Sequence, residues 1–352
     1  MTNDVSSPGG TPQAATGRRP TIGDVAERAG VSKSAVSFVF NDRPGVSVVV
    51  RERILRAADD LGWRPSARAR ALSQSRSQTM GLVIRRAPEL LSTDPFFPQF
   101  VAGVETGLSA RGYALLLQVV ADDAAEAAAY ERFARESRVE GVFLTDMRVA
   151  DDRPERLHEL GLAAVIVAPP VEGITAVGMD DGVGIRRAVH HLAALGHRRI
   201  GHVAGPSAYV HSGLRQQAWQ NSLAELGLPL GPVAASDFTG AGGTRATHEL
   251  LDLPERPTAI VYANDLMAIA GVAAATSRGL RVPEDLSVVG FDDVPLAPFV
   301  APSLTTVKQD VVTWGAAAAE SLVAMVEHRE AAVVNLPDVE FIVRGSTASA
   351  PV

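Results

Sequence analysis

The sequence predicts a small all-α head of helix-turn-helix shape, followed by an α/β body of two parallel-sheet subdomains. Capped helical patterns fill residues 19–65. Beyond residue 79, short runs that are apolar on both faces alternate with amphipathic stretches, which is typical of parallel sheets covered by helices. The 352-residue chain is also longer than one hydrophobic core usually supports, so two subdomains are expected in the body.

The start of the chain and its composition exclude several classes of protein. Residues 1–18 are polar, and we expect a disordered tail without the basic start and apolar block of a signal peptide. No apolar run approaches the length of a membrane span. The chain has no cysteine, which excludes disulfides and cysteine-based zinc sites. We therefore expect a soluble cytoplasmic protein.

The first two helices of the head are short and joined by a tight turn. Thr21 with Asp24 three residues later is typical of a capping box, and Gly30 is suited to end that helix. Ser32 then caps a second helix. Its inward residues are Val36, Val39 and Phe40, and its outward residues are Lys33, Ser34, Ser37 and Phe38. This pair has the shape of a helix-turn-helix.

A third helix is predicted from Ser47 to about Leu61, where Gly62 ends it and Pro65 prevents its resumption. Three small helices around one core can present the second helix to the major groove of DNA. The stretch at 66–78 is basic and has little apolar surface. It is either a hinge helix that folds on a phosphate surface or a plain basic linker.

Charge is distributed unevenly along the chain. Residues 18–76 contain twelve Lys and Arg against six Asp and Glu, whereas residues 77–352 contain 21 against 33. A basic head on an acidic body indicates a polyanionic partner for the head alone. The alternative is chance clustering of charge on a solvated surface.

The body lacks the motifs of the common enzymes and cofactor sites. There is no GxGxxG, no GxxxxGK[ST], no GxSxG and no HExxH. The short "GAGG" at 240–243 is expected in a loop, and the histidines are expected on the surface or in packing. We therefore predict no catalytic residues, no cofactor and no metal, and a protein that is not an enzyme.

Several segments of the sequence resemble one known protein family. The segment "TIGDVAERAGVSKSAVSFVFNDRPGVSVVVRERILRAADDLGWRPSARARAL" closely resembles the headpiece of the LacI-type family of transcriptional regulators. Body segments such as "LGHRRIGHVAGP", "RPTAIVYANDLMAIAG", "GLRVPEDLSVVGFDDV" and "PSLTTVKQD" resemble the same family. The resemblance covers about Thr21–Thr347. It implies a body like the type I periplasmic sugar-binding proteins, with a ligand cleft between the subdomains.

The resemblance implies a double-stranded DNA operator as partner. The residues expected at DNA are Thr21, Ser32, Lys33, Ser34, Ser37, Phe38, Asn41, Ser47, Arg68, Ala69 and Leu72. Lys33 reads bases or contacts phosphate, and Ser37 and Asn41 touch DNA or cap the helix. Phe38 departs from the arginine of better-known members, so it contacts a thymine methyl or packs. Leu72 matches the hinge leucine that wedges into a base step.

The resemblance also implies a sugar-like effector in the cleft. The residues expected there are Phe96, Phe97, Arg215, Phe238 and Asp265. The alternatives are a helix N-cap for Asp265, a solvated position for Arg215 and core positions for Phe96 and Phe97. Ala168 stands where many members place a ligand-binding acid, which leaves the identity of the effector open.

The family also suggests how the body is divided. The effector-binding and dimerisation domain is expected at 79–347. Its first subdomain is expected at about 79–176 and 284–311, and its second at about 177–283 and 312–347. A homodimer is favoured over a tetramer because no heptad pattern follows "FIVRGST".

Three functions compete on these observations. The leading one is a DNA-binding transcriptional regulator, predicted to be a repressor, controlled by a small molecule. A transport-type solute-binding protein would have no use for a basic head, and an enzyme would need a nucleophile, a base or a cofactor motif. The sequence leaves open the operator, the effector, the regulated genes and the sign of regulation.

Overall fold

A computed structural model of the chain describes residues 20–41, 43–64, 77–86, 94–168, 176–328 and 336–351. The chain forms two compact units, Met1–Arg76 and Ser77–Val352. The tail predicted at 1–18 and most of the linker predicted at 66–78 lie outside the described residues.

The head consists of three helices around one small core. They are α1 (Ile22–Ala29), α2 (Lys33–Phe40) and α3 (Val48–Asp60). Val25, Val36 and Ile54, one from each helix, are completely buried together. Gly30 and Gly62 follow α1 and α3 with φ near +60°, a left-handed conformation that glycine adopts without strain. The predicted helices and their glycine ends are confirmed.

Two of the three N-cap residues predicted from the sequence make the expected capping hydrogen bonds. The Thr21 backbone N–H donates to Asp24 Oδ2 at 2.7 Å, which is one half of the capping box. Ser32 Oγ accepts from the Ala35 N–H at 3.1 Å at the start of α2. Ser47 occupies the N-cap position of α3, but its side chain makes no capping hydrogen bond.

The body alternates strands and helices from residue 79 onward. The strands are β1 (Thr79–Arg85), β2 (Ala114–Val120), β3 (Gly141–Leu144), β4 (Ala163–Val167), β5 (Ala176–Val177), β6 (Ile200–Ala204), β7 (Val233–Ala235), β8 (Ala259–Tyr262), β9 (Ser287–Asp292), β10 (Thr305–Lys308) and β11 (Glu340–Ile342). The helices are α4 (Phe96–Ser109), α5 (Asp123–Arg135), α6 (Arg153–Glu159), α7 (Asp181–Ala194), α8 (Val210–Glu225), α9 (Gly240–Leu251), α10 (Asp265–Ser277) and α11 (Val311–His328).

The strands form two sheets of similar topology. The first sheet has the order β2-β1-β3-β4-β5, and all its pairings are parallel. The second has the order β11-β10-β9-β8-β6-β7, with only β11 antiparallel to its neighbour. In both sheets the second strand lies outside the first, so the strand order reverses beside β1 and β6. This topology confirms the predicted α/β body of two parallel-sheet subdomains.

The division of the late segments between the subdomains differs from the expectation. Both β9 and β10 pair in the second sheet, so 284–311 does not belong to the first subdomain. Helix α11 packs against α4 and against β3 and β4 of the first sheet, so 312–328 does not belong to the second. Hydrophobic periodicity identifies a strand or a helix, but it does not specify the sheet on which that element packs.

Glycines allow the close approach of α4 and α11. A Cβ on Gly103 would lie 2.0 Å from the carbonyl oxygen of Val312, and one on Gly315 would lie 2.3 Å from that of Phe100. The two helices therefore touch through their backbones and fix α11 to the first subdomain.

Two further features of the described ranges bear on function. No helix in them is long and apolar enough to cross a membrane. The "GAGG" stretch is not a loop, because Gly240–Gly243 form the first turn of α9 behind the N-cap Thr239. A Cβ on Gly243 would lie 2.6 Å from the Cα of Met267, so this turn packs directly on α10.

Candidate functional site

A polar cleft lies between the two sheets of the body, at the carboxyl ends of their strands. Open parallel sheets bind ligands at this edge, next to the point where the strand order reverses. The cleft encloses about 580 Å³, including its open mouth. The first subdomain contributes Arg86, Asp94, Phe96, Thr145, Asp146, Val167 and Trp314, and the second contributes Asp181, His211, Arg215, Phe238, Asn264, Asp292 and Gln309.

Arg215, one of the predicted effector residues, lies in this cleft and is held on two sides. Its Nε donates to Asp181 Oδ2 at 2.8 Å, and its Nη1 donates to the Ala263 carbonyl at 2.6 Å. Its guanidinium carbon lies 3.7 Å from the centroid of the Phe291 ring. Only 6 % of the residue is exposed, so it is not a solvated helix residue. Its other N–H groups make no hydrogen bond to the described residues.

Asp181 is the buried partner that orients Arg215. It begins α7, is 1 % exposed, and also accepts from Gln309 Nε2 at 2.7 Å. Burial raises the pKa of Asp181, although Arg215 and the Gln309 amide oppose this rise. The carboxyl therefore acts as a fixed acceptor behind the arginine.

Arg86 is the corresponding arginine of the first subdomain. It follows β1, and its Nε and Nη2 donate to the two oxygens of Asp146 at 3.0 and 2.9 Å. Bidentate pairs of this kind fix the plane of the guanidinium. Burial alone would raise the pKa of Asp146, but the charge and hydrogen bonds of Arg86 outweigh it and hold that pKa below its ordinary value.

Aromatic rings from both subdomains surround the Arg86 guanidinium. Its Cζ lies 5.2 Å from the Tyr209 centroid, 5.6 Å from Phe97 and 5.8 Å from Phe238. His211 stacks on Phe238 with centroids 5.5 Å apart. Burial lowers the pKa of His211 to about 3, so its ring is neutral at physiological pH. Of these rings, His211 and Phe238 line the cleft and form one aromatic wall of it.

The predicted phenylalanines occupy different positions. Phe96 lines the cleft and makes an edge contact with Trp314 at 5.7 Å between centroids. Phe97 is 3 % exposed and lies in the core behind Arg86, outside the cleft lining. Phe238 lines the cleft with a left-handed φ of 65°, and its ring fills the space where a Cβ on Gly205 would lie.

Asp265 does not reach the cleft, contrary to the prediction. It is completely buried at the start of α10. Its Oδ1 accepts from the Thr306 hydroxyl at 2.5 Å and its Oδ2 from the Val294 N–H at 2.8 Å. The N-cap of α10 is Asn264, whose Oδ1 accepts from the Met267 N–H at 2.9 Å. The buried Asp265 carboxylate therefore links the start of α10 to Thr306 on β10 and to Val294 just after β9.

The polar groups that do face the cleft here are Asn264 and Asp292. Asp292 ends β9 with a φ of 120°, a left-handed conformation that strains a non-glycine residue. Burial raises the pKa of Asp292 well above its ordinary value; Arg215 lowers it in part, and the nearby carboxylates of Asp265 and Asp94 raise it further. Among the described residues no side chain donates a hydrogen bond to this carboxyl or forms an ion pair with it.

Ala168 lies in the apolar core of the first subdomain and is 5 % exposed. At the described end of β4, up to residue 168, no carboxylate enters the cleft. Asp94 and Asp146 supply the carboxylates of the first subdomain instead.

The subdomains also touch through backbone hydrogen bonds beside the aromatic wall. The Val149 N–H donates to the Ala208 carbonyl at 2.9 Å, and the Val210 N–H donates to the Met147 carbonyl at 2.8 Å. Asp146 and Tyr209 lie on the two segments that these bonds join. The two subdomains are therefore in direct backbone contact next to the cleft.

A second surface that bears on function lies on α2 of the head. Ser32, Lys33 and Ser34 are exposed on it. Phe38 is 37 % exposed and its ring lies about 3.8 Å from the position of a Cβ on Gly45, so it packs in part against the following loop. Asn41 Nδ2 donates to Ser37 Oγ at 3.1 Å.

The structure leaves some predicted DNA contacts undescribed. Arg68, Ala69 and Leu72 lie outside the described residues. Thr21 and Ser47 stand at the N-termini of α1 and α3, where backbone N–H groups favour phosphate. Their contacts with DNA stay predictions.

Most of the polar groups of the cleft were not predicted from the sequence. Arg86, Asp146, Asn264 and Asp292 each end or closely follow a buried strand. A search for polar residues directly after the predicted strands would have found them, because carboxyl ends of parallel strands share one edge.

The fold and the cleft define a helix-turn-helix transcriptional regulator whose body has the architecture of a periplasmic binding protein. The family model for the bacterial regulatory proteins of the lacI family matches residues 21–66. The model for the periplasmic binding protein-like domain matches residues 189–347. An uncharacterised HTH-type transcriptional regulator of Streptomyces limosus is 39 % identical over 343 residues, which is 94 % of this chain and 95 % of that protein. The chain belongs to the LacI family of bacterial regulatory proteins.

Solved structures agree with this assignment. The lac repressor dimer bound to operator and the anti-inducer ONPF superposes with a TM-score of 0.82 and 28 % identity, covering 94 % of this chain and all of that one. The complex of the transcriptional regulator CelR with cellobiose has a TM-score of 0.71 and 33 % identity, covering 93 % of this chain and all of that one. These relatives are regulators, so the prediction that this protein is not an enzyme is confirmed.

Proposed function

We propose that this protein is a repressor that binds a pseudo-palindromic operator as a homodimer, and that a small polyhydroxylated effector in the cleft controls this binding. The observation that carries the proposal is the cleft itself. Its lining comes in equal numbers from two subdomains of a chain that also carries a helix-turn-helix head. A molecule bound there contacts both subdomains and so biases their relative orientation.

The chemistry of the cleft favours a sugar or a related metabolite. Aromatic walls with a few fixed polar groups are typical of small-molecule sites. Phe96, Trp314 and Phe238 offer apolar faces to a ring, whereas Arg215, Asn264 and Asp292 offer donors and acceptors to hydroxyls. The relative CelR was solved with cellobiose, which makes this disaccharide a suitable first probe.

The head supports DNA binding. A bacterial regulator that binds the chromosome acts in the cytoplasm, where the nucleoid lies. The exposed face of α2, with Lys33 and Ser34 at its start, has the size and polarity of a recognition helix. The excess of basic residues in 18–76 supplies phosphate contacts. Affinity for an operator should therefore fall steeply with salt.

A homodimer would place two heads on two half-sites. An exposed apolar patch on the second subdomain supports this assembly: Phe299 is 82 % exposed and Leu296 is 55 % exposed in the segment between β9 and β10. Large apolar side chains exposed together mark interaction surfaces. A Phe299→Ser variant should sediment as a monomer at micromolar concentration, whereas an unchanged dimer would place the interface elsewhere.

The control would work through two states of the body. An effector alters DNA affinity only if it binds the two states with different affinities. The 66–78 segment, which connects head and body, would order or melt as the subdomains shift. The sign of the response, release or recruitment, follows from which state the effector prefers.

A selection of DNA sequences by the purified full-length protein at near-physiological salt tests this proposal. Recovery of a short pseudo-palindrome, protected across its centre, is expected, and cellobiose or maltose should change its affinity. Recovery of no consensus under any of these conditions would refute the DNA-binding part. A consensus that no sugar affects would refute the sugar-like effector.

A further inference from the structure

We propose that Glu126 is a positioning residue that, through Arg148 and Arg153, holds residues 146–151 in the shape that contacts the second subdomain. These six residues, the contact segment, lie between β3 and α6. The positioning itself does not depend on the identity of a ligand. Its consequence for a ligand in the cleft rests on the proposed function.

The contact segment meets the second subdomain as a short antiparallel bridge between Arg148 and Tyr209. Beside this bridge, the Val210 N–H donates to the Met147 carbonyl at 2.8 Å. Val210 begins α8, so its N–H has no acceptor within the helix. The first subdomain therefore satisfies a backbone group at the start of a helix of the second, as long as the contact segment keeps its shape.

The backbone of the contact segment is strained at two positions. Asp146 and Ala150 have φ values of 52° and 55°, in the left-handed region that costs free energy in residues other than glycine. Such conformations persist where the surrounding structure fixes them. The contact segment therefore depends on support from the rest of the first subdomain.

Glu126 on α5 supplies this support through two arginines. Its Oε2 accepts from Arg148 Nη2 at 2.5 Å, and its Oε1 accepts from Arg153 Nη1 at 2.9 Å. Arg148 lies in the middle of the contact segment, and Arg153 Nη2 donates to the carbonyl of Asp146 at its start at 2.8 Å. Glu126 is only 2 % exposed, so solvent and salt screen these ion pairs little. One buried carboxylate thus holds both the middle and the start of the contact segment.

The same segment reaches the cleft through Asp146. The Asp146 carboxylate fixes the Arg86 guanidinium, while its carbonyl is the group that Arg153 holds. Glu126 itself does not line the cleft, so it acts through these residues and not on a ligand. A shift of the contact segment would change the contact with the second subdomain and the position of Arg86 together.

Glu126→Gln tests the positioning. Glutamine presents one oxygen and one amide group where glutamate presents two oxygens, so one of the two arginines loses its acceptor. Arg148 keeps its ion pair with Asp123, and Arg153 keeps its ion pair with Asp151. Neither guanidinium is left as an unpaired charge, so the variant should fold.

A second variant and a matched control accompany it. Arg148→Lys keeps the charge in the contact segment but replaces the two-armed guanidinium by a single nitrogen. Glu131→Gln is the control, since Glu131 also lies on α5 and pairs with Arg156 on α6. That ion pair is exposed and does not involve the contact segment.

Hydrogen–deuterium exchange of the full-length protein, followed by mass spectrometry, measures the contact. In both variants the exchange rate should rise about tenfold or more in peptides that cover 146–151 and 207–211, as expected from the loss of a hydrogen bond to a charged group. Peptides that cover β3 and β6 should exchange as in the wild type. A purely structural role of Glu126 would lower overall stability and raise exchange in these strands as well.

A local rise in both peptides, with Glu131→Gln unchanged, supports the positioning. No rise at 207–211, or an equal rise in β3 and β6, would overturn it. If Glu126→Gln does not fold, the same comparison made with Arg148→Lys gives the answer.

Calorimetric titration with cellobiose tests the consequence for the cleft. The dissociation constant should rise in Glu126→Gln and Arg148→Lys but not in Glu131→Gln, because the arrangement that binds from both sides is populated less. An unchanged constant would overturn the link between the contact and the cleft. If cellobiose does not bind the wild type, the proposed effector fails, whereas the exchange measurement still supports or overturns the role of Glu126.

Discussion

Replacement of Asp265 by asparagine should make the protein less sensitive to alkaline pH. Burial raises the pKa of Asp265 from its ordinary 3.8 to about 7, although hydrogen bonds from Thr306 and Val294 oppose the rise. An unfolded chain releases this proton near pH 4, whereas the folded chain holds it until about pH 7. The folded state binds more protons between these values, so the free energy of unfolding falls as pH rises across that window.

The size of the effect follows from the pKa difference. Each pKa unit corresponds to about 1.4 kcal/mol, so the ionisation of Asp265 removes about 4 kcal/mol of stability between pH 4 and pH 8. Asparagine resembles the protonated acid, because its oxygen can accept from the Val294 N–H while its amide donates to the Thr306 hydroxyl. The variant should equal the wild type within about 1 kcal/mol at pH 5 and exceed it above pH 7.

Urea unfolding followed by circular dichroism at pH 5, 6, 7 and 8 measures this difference. Asp292, whose pKa the Asp265 carboxylate raises, also titrates differently in the variant, so the difference between the pH profiles reports Asp265 together with this coupling. Parallel profiles would refute the argument. The same variant also tests the prediction that Asp265 binds the effector. If a sugar that the wild type binds no longer changes the operator affinity of the variant, Asp265 takes part in effector binding.

Five further substitutions test the packing, the helix caps and the linker. Gly103→Ala should destabilise the body by about 1–3 kcal/mol, because its Cβ would meet the backbone of α11; Gly213→Ala, in open space on α8, should stabilise it by up to about 1 kcal/mol in thermal melts. Ser32→Ala should cost the head about 1 kcal/mol in hydrogen-exchange measurements, whereas Ser47→Ala, which loses no cap bond, should be almost neutral. Leu72→Ala should weaken operator binding and reduce DNA bending in gel-shift assays, and an unchanged bend would disprove the predicted wedge.

Much of the fold could be predicted because its signals are local. The ends of α1 and α3 depend on glycines within the same few residues, and the capping of α2 depends on Ser32. The strands of the body are visible as apolar runs for the same reason. The very short strands β5 and β11 have no such signal, because two or three residues show no periodicity.

The cleft was predicted only in part because its residues converge from distant positions. Arg215 and Phe238 were found through the family resemblance, and both line the cleft. The resemblance also predicted Asp265, whereas Asp292, which the sequence did not single out, is the acid that lines the cleft. The structure separates them: one lies under α10 with both oxygens satisfied, and the other ends β9 in the cleft.

The sequence by itself determined the helix-turn-helix head, the alternation of strands and helices, and membership of the LacI family, because these depend on neighbouring residues and on motifs. Only the tertiary structure decided which sheet holds β9 and β10 and which polar groups meet in the cleft. Asp181 and Gln309 are 128 positions apart and form one hydrogen bond. Their encounter depends on how the two sheets pair and face each other, and no local pattern of residues contains that information.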